Sequence, residues 1–284
     1  VEFQIDYFST EFFTLSFQKD LDPKVIDDLG GTIKIAKLKT KVPTETIKEA
    51  FLKKTKSAQH QVIEALTATD AIKNMAQSDE GKLLFGISIY TSDNSIKPLG
   101  GSIQRYIGSQ IKEELSVLGK KSSFMGVGAD RSEAQLSHIE VLKKDLAQKQ
   151  AELLLCIGKT DTWIATTVAV HNPFEFQKRD VYKPRQRAIF GMPPRLARMM
   201  VNLSQCTSDK TLLDAFCGVG TILQEALLEH AMIIGVDVNP WCVKAATENL
   251  EWIEREYRLQ DADFRVIPGD VAHLAEKVGV ESVD

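Results

Sequence analysis

The chain predicts an α/β protein whose C-terminal part is an open, doubly wound parallel sheet, preceded by mixed α+β modules. Three observations predict it. Residues 211–250, TLLDAFCGVGTILQEALLEHAMIIGVDVNPWCVKAATENL, run as apolar strand, glycine turn, amphipathic helix, second apolar strand and acidic tip. Phe264–Ile267 is a third short apolar run, closed by Pro268-Gly269-Asp270. Before residue 171, short β-like runs alternate with helical stripes. A length of 284 residues is more than one domain usually needs. The expected divisions are 1–75, 76–171, a basic linker over 172–190, and 191–284.

In chain order, Glu11–Phe17 (EFFTLSF) reads as a strand and Pro23–Leu29 as a short helix before Gly30-Gly31. Thr32–Leu38 (TIKIAKL) alternates as a half-buried strand does. Thr44–Lys53 reads as a helix opened by Thr44 behind Pro43. Residues 82–90 (KLLFGISIY) form a strand. Ser102–Leu118 is a helix with Ile103, Ile107, Ile111, Leu115 and Leu118 on one stripe. Ser122–Val127 reads as a strand, and Ser137–Lys143 as an apolar stretch leading to a short helix around Asp145–Lys149. Glu152–Ile157 and Trp163–Val170 are two further strands. No internal repeat or low-complexity segment is visible.

Composition narrows the function. The net charge of −4 argues against a uniformly basic nucleic-acid binder. The charge is uneven, however. Between Lys178 and Arg198 lie Lys178, Arg179, Lys183, Arg185, Arg187, Arg195 and Arg198 against the single acid Asp180. Proline and glycine interrupt this stretch, so it reads as an exposed linker able to track phosphates. No apolar run approaches the ~18 residues of a membrane helix, and no membrane partner is expected. Cys156, Cys206, Cys217 and Cys242 are scattered without a C-x-x-C pair, so neither a metal site nor a disulfide framework is expected, and a reducing cytoplasmic setting fits best. His60, His138, His171, His230 and His273 have no metal-ligand spacing.

The chemistry concentrates in Asp214-Ala215-Phe216-Cys217-Gly218-Val219-Gly220-Thr221. Gly218 and Gly220 let the backbone turn sharply and approach a ligand. In an open parallel sheet, ligands gather at the carboxyl ends of the strands, so this turn and Asp237 are expected at one edge. A carboxylate there can accept both hydroxyls of an adenosine ribose. A dinucleotide fold wants a third glycine so that a pyrophosphate can sit on the helix N-terminus, and Leu223 occupies that place. Asp214 before the turn favours a cationic ligand group. The pattern therefore points to S-adenosylmethionine rather than NAD.

The run D-x-F-C-G-x-G-T-I-L-x-E-A, then G-x-D-x-N-P, then G-D resembles the class I S-adenosylmethionine-dependent methyltransferases that act on RNA. It is most similar to the THUMP-domain enzymes, of archaeal type, that methylate N2 of guanosine 10 in tRNA. Tyr182–Arg187 and Gly191–Leu203 are similar to that family's linker and first methyltransferase helix, and residues 138–170 to the end of its THUMP domain. The useful likeness spans roughly residues 120–275; before that it is architectural, with residues 1–75 resembling a ferredoxin-like domain. The resemblance implies a Rossmann-like methyltransferase domain after ferredoxin-like and THUMP modules, with tRNA as partner. It implies that Asp214, Phe216, Cys217, Gly218, Gly220 and Thr221 shape the methionine end of the cofactor site. Asp237 would hold the ribose, Val238 would pack on the adenine, and Asp270 with Val271 would meet the adenine edge. Lys178, Arg179, Lys183, Arg185 and Arg187 are the expected RNA contacts.

The family's catalytic Asp- or Asn-Pro-Pro-Tyr-like segment follows its fourth strand. Ser282-Val283-Asp284 are expected to begin that strand, which leaves the catalytic segment beyond residue 284 and this chain with the cofactor half of the site. Completing a doubly wound sheet takes on the order of 80 more residues. Asn172-Pro173-Phe174 lacks the second proline, and Asn239-Pro240-Trp241 reads as a helix start; neither is assigned as catalytic. Two alternatives stay open: a THUMP methyltransferase acting on ribosomal RNA or another tRNA position, and a non-catalytic RNA-binding protein with a truncated methyltransferase domain.

Overall fold

The structure, a computed structural model, describes residues 2–77, 81–126, 134–187, 191–279 and 282–283. It divides into two compact units, residues 1–26 with 33–171, and 27–32 with 172–284.

In the first unit, β1 (Phe3–Phe8) and β2 (Phe13–Phe17) form an antiparallel hairpin. Then come β3 (Lys34–Pro43), α1 (Thr44–Phe51), α2 (Lys56–Thr67), α3 (Ala71–Gln77), β4 (Leu83–Thr91) and α4 (Gly100–Val117). They are followed by β5 (Ser122–Met125), α5 (His138–Lys143), β6 (Glu152–Ile157) and β7 (Asp161–Val170). The sheet order is β3-β7-β6-β4-β5, with β4 parallel to both β5 and β6 and the β6-β7 and β7-β3 pairs antiparallel. β3 pairs with β7 along its whole length. The boundary expected after residue 75 therefore does not coincide with a break in the sheet, because a strand before it and strands after it share one ladder.

The β4 and β6 strands are buried on both faces, as their near-continuous apolar runs require. The buried side chains Phe85, Ile87, Ile103, Ile107, Leu153 and Leu155 belong to one core. Glu152 lies in this unit with no exposed surface. Its carboxylate accepts from Lys34 Nζ at 2.5 Å, Ser88 Oγ at 2.6 Å and Thr167 Oγ1 at 2.7 Å, so one buried charge ties β3, β4, β6 and β7 together. Burial draws the Lys34 pKa below its ordinary value against the pull of Glu152.

The helix expected near Asp145–Lys149 lies earlier in the chain, at α5. Ser137 Oγ accepts from Glu140 N at 3.2 Å while the Glu140 carboxylate accepts from Ser137 N at 2.9 Å, a reciprocal cap that starts the helix at His138. Asp145 and Gln150, at φ of 57° and 47°, turn the chain afterwards. The β5 strand ends at Met125, and Val127 of the expected strand lies outside the described residues.

The second unit contains α6 (Pro173–Val181), α7 (Pro194–Leu203), β8 (Thr211–Asp214), α8 (Thr221–Leu227) and β9 (Met232–Asp237). It continues with α9 (Pro240–Tyr257), β10 (Phe264–Pro268) and α10 (Leu274–Val278). Its sheet is parallel throughout, in the order β10-β9-β8. Leu223, Leu227, Ile233, Ala246, Leu250 and Ile253 belong to its core.

Two expectations are corrected here. Half of the expected linker is helix α6, started by Asn172, whose Oδ1 accepts from Phe174 N at 3.1 Å. Asn172-Pro173-Phe174 is thus a capped helix start. Ser282 and Val283 do not begin a strand; the Ser282 hydroxyl donates to Val278 O at 2.8 Å, back onto the end of α10, and Asp284 lies outside the described residues.

Candidate cofactor site

The three parallel strands bring three acids to one edge. Asp214 ends β8 in register with Gly235, and Asp237 ends β9 in register with Pro268. Gly269 N, just past β10, donates to Asp237 O at 3.0 Å and carries the chain to Asp270. Asp270 is exposed and caps a short 3-10 turn, its Oδ1 accepting from Ala272 N at 2.9 Å.

The glycine turn is built onto this edge. Cys217 N donates to Val236 O at 3.0 Å, and Gly218 N donates to Asp237 Oδ2 at 2.9 Å. Gly218 and Gly220 have φ of 53° and 82°, the left-handed region where a side chain is strained. A Cβ on Gly220 would also stand 3.1 Å from Ala246 Cβ of α9. Asp237 Oδ1 accepts from Asn239 N at 2.9 Å. Each of its oxygens has one backbone donor, which fixes the carboxylate and leaves lone pairs for two hydroxyls. Asn239 starts α9, its Oδ1 accepting from Trp241 N at 3.0 Å.

The edge is electronegative. Burial raises the Asp214 pKa above its ordinary value; the Phe216 N–H at 3.1 Å opposes that rise, and the charge of Asp237 adds to it. Two neighbouring carboxylates suit a cationic ligand group. Leu223 is fully buried, and a Cβ on Gly235 would fall 2.5 Å from Leu223 Cδ1. Close helix–strand packing is obtained by the missing Cβ on β9 rather than by a third glycine on the helix. Phe216, at 74% exposure, and Val238, at 73%, are large apolar residues left uncovered at this edge, with Val271 and Trp241 partly so. Planar, apolar ligand surface is what such residues can cover.

Two sets of residues behave otherwise than expected. The Cys217 side chain lies in the core of the second unit. It is buried, its thiol pushed up to about 12 by burial together with Asp214 and Asp237, and its Sγ packs against the bare Cα side of Gly235. Only its backbone shapes the turn.

The basic segment is largely internal. Arg179 and Arg198 are buried and both grip Glu225, Arg179 Nε at 2.6 Å and Arg198 Nε at 2.9 Å. Arg198 also meets Glu229. Burial opposes the Arg179 charge, yet Glu225 and Tyr257 hold its pKa above the ordinary value. Lys183 is buried, with Nζ donating to Thr221 Oγ1 at 3.3 Å. Lys178 pairs with Glu256 at 2.5 Å, Arg185 pairs with Glu248, and Arg195 Nε donates to Gly30 O at 2.8 Å. Arg179 and Lys183 are therefore corrected from surface phosphate contacts to interior groups; Arg187 is exposed.

Glu225 and Asn249 were missed in the sequence. Their signal is a polar residue with apolar residues at helical spacing on its own face, Ile222 and Leu228 around Glu225, and Ala245, Ala246, Trp252 and Ile253 around Asn249, where burial demands partners.

A parallel sheet with a two-glycine turn after one strand and an acid fixed at the tip of the next fits an α/β methyltransferase fold. Comparison with known proteins agrees. Residues 184–277 match the family described as UPF0020: RMKL-like, methyltransferase domain. Among curated proteins, the chain is 36% identical over 146 residues to the tRNA (guanine(10)-N2)-dimethyltransferase of Methanothermobacter thermautotrophicus, covering 50% of this chain and 40% of that protein. It is 33% identical over 130 residues to the enzyme of the same name from Methanocaldococcus jannaschii, covering 43% of this chain and 36% of that protein. The chain thus matches less than half the length of these relatives, and the likeness of its motifs to a tRNA guanine-N2 methyltransferase is borne out over that part. The crystal structure of TrmN from Thermus thermophilus is similar at a TM-score of 0.47 and 12% identity, over 93% of this chain and 64% of that one, too loose a likeness to argue from. Among the described residues no helix is long and apolar enough to cross a membrane.

Proposed function

We propose that this protein methylates the exocyclic N2 of a guanosine in tRNA, at position 10, with S-adenosylmethionine as methyl donor. The observation that carries the reading is the bond from Gly218 N to Asp237 Oδ2, which locks the glycine turn to the ribose-type acid at the electronegative edge. Support for the substrate comes from the names of the curated relatives.

The cofactor supplies an activated methyl group on a sulfonium. The protein's part is positioning. Asp237 receives the ribose hydroxyls, and the turn 218–220 admits the ligand close to the backbone. Asp214 holds negative potential beside the cationic end. Phe216 borders the methionine end, Val238 packs on the adenine, and Asp270 with Val271 meets the adenine edge. The target base must leave its stack to reach such a site. The unit before residue 172, whose ferredoxin-like and THUMP parts share one sheet, holds the tRNA by shape and phosphate contacts.

Calorimetric titration tests the cofactor: S-adenosylmethionine binds and NADH does not. Nucleoside mass spectrometry of tRNA from a strain lacking the gene tests the substrate: N2-methylated guanosine at position 10 disappears. Unchanged N2-methylguanosine in that strain sinks the substrate assignment.

A further inference from the structure

Among the described residues, the basic segment of the second unit leaves one buried charge without an ion-pair partner. Arg179 and Arg198 share Glu225, Lys178 has Glu256, Arg185 has Glu248, and Arg195 has the Gly30 carbonyl. Lys183 is only 6% exposed, and among the described residues its ammonium forms no ion pair. Its hydrogen-bond acceptor is Thr221 Oγ1, at a long 3.3 Å. An ammonium has three donors, so a buried one with a single neutral acceptor is under-satisfied. The nearby acids do not remedy this, because Glu225 is committed to two guanidiniums and Asp180 is exposed. Burial accordingly pulls the Lys183 pKa down, opposed by Asp180 and Glu225.

The lysine cannot swing away from the turn. Asn249 of α9 accepts from Arg185 N at 2.9 Å and donates to Arg185 O and to Val219 O, both at 2.9 Å. One side chain thus clamps the strap 183–185 to the glycine turn, and Pro184 stiffens it. Lys183 is held beside Thr221, the residue that follows the glycine turn. An ammonium this buried is a poor contact for a polynucleotide phosphate.

We propose that Lys183 anchors the α-carboxylate of the cofactor's methionine end, with Thr221 orienting the ammonium. The inference rests on the S-adenosylmethionine reading above. It assigns the two ends of the ligand opposite fields: acids toward the sulfonium and ribose, one buried cation toward the carboxylate.

The test compares S-adenosylmethionine with its decarboxylated analogue by calorimetry, in wild type, Lys183→Met and Arg187→Ala. A charge-assisted bond of this kind gives wild type a preference of roughly 10- to 100-fold for the carboxylate-bearing ligand. In Lys183→Met the preference collapses, while the ligand-free Tm holds or rises because an under-satisfied buried charge has been replaced by an apolar residue of similar length. Arg187→Ala keeps the preference. The inference is overturned if Lys183→Met keeps the preference, or if Arg187→Ala is the variant that loses it. A fall in Tm with the preference retained identifies a structural lysine instead. A wild type that binds neither compound overturns the cofactor reading, and this one with it.

Discussion

Asp214 and Asp237 stand at the same edge, yet substituting them should have different consequences. Asp237 has a backbone donor on each oxygen, so its charge is supported before any ligand arrives. Asp237→Ala should remove the ribose acceptor and abolish S-adenosylmethionine binding in calorimetry; retained affinity would refute the ribose role. Asp214 is the costly one, since burial first and Asp237 second raise its pKa. A carboxyl whose native pKa is raised binds more protons folded than unfolded between the two pKa values, so stability falls as pH rises through that window. Above it, the native state carries the full cost of the charge. Asp214→Asn should therefore raise the ligand-free Tm at neutral pH. The gain should shrink as pH falls through the native pKa toward the ordinary 3.8. The same substitution should weaken cofactor binding, an exchange of stability for function expected at a site that stores like charges. Differential scanning calorimetry across pH decides it, and a Tm that drops at pH 7 would show Asp214 to be structural.

At the scale of elements, what could be read from the sequence was whatever is periodic or local. The apolar runs coincide with β6 at both ends and with β4 and β10 to within a residue, because parallel and central strands write continuous apolar runs. The turn 214–221 and Asp237 were legible because φ above zero and a strand-tip acid need particular residues. What was not legible depends on partners distant in sequence. Helix α6 reads as a linker because its basic residues look solvated, and only tertiary packing brings Arg179 onto Glu225, 46 residues later. The same pairing joins α6, α7 and α8 through a single carboxylate. Removing one member of a buried ionic set typically costs about 3–5 kcal/mol. Glu225→Gln should therefore lower stability by about that much in chemical denaturation, with two guanidiniums left facing an amide. A loss below about 1 kcal/mol, the range of exposed pairs, would mean that the triad is solvated in solution.

At the scale of the whole molecule, the charge distribution limits how RNA can be held. The chain is acidic overall, at −4, and the segment that looked most like a phosphate track is mostly consumed inside the second unit. Within that segment, few cations are left exposed for a phosphate. Arg187 is the exposed member of that segment for which no acidic partner is seen among the described residues. Each phosphate contact releases condensed counterions, so the slope of log K against log salt counts such contacts, at about 0.7 to 0.9 per contact. If Arg187 touches a phosphate, Arg187→Ala should lower tRNA affinity and flatten that slope by about one contact, alike for tRNAs of different sequence. Asp237→Ala should leave both affinity and slope nearly unchanged, because the ribose acid belongs to the cofactor edge. Filter binding of both variants over a salt series separates the two surfaces. An unaltered slope in Arg187→Ala would remove Arg187 from RNA recognition.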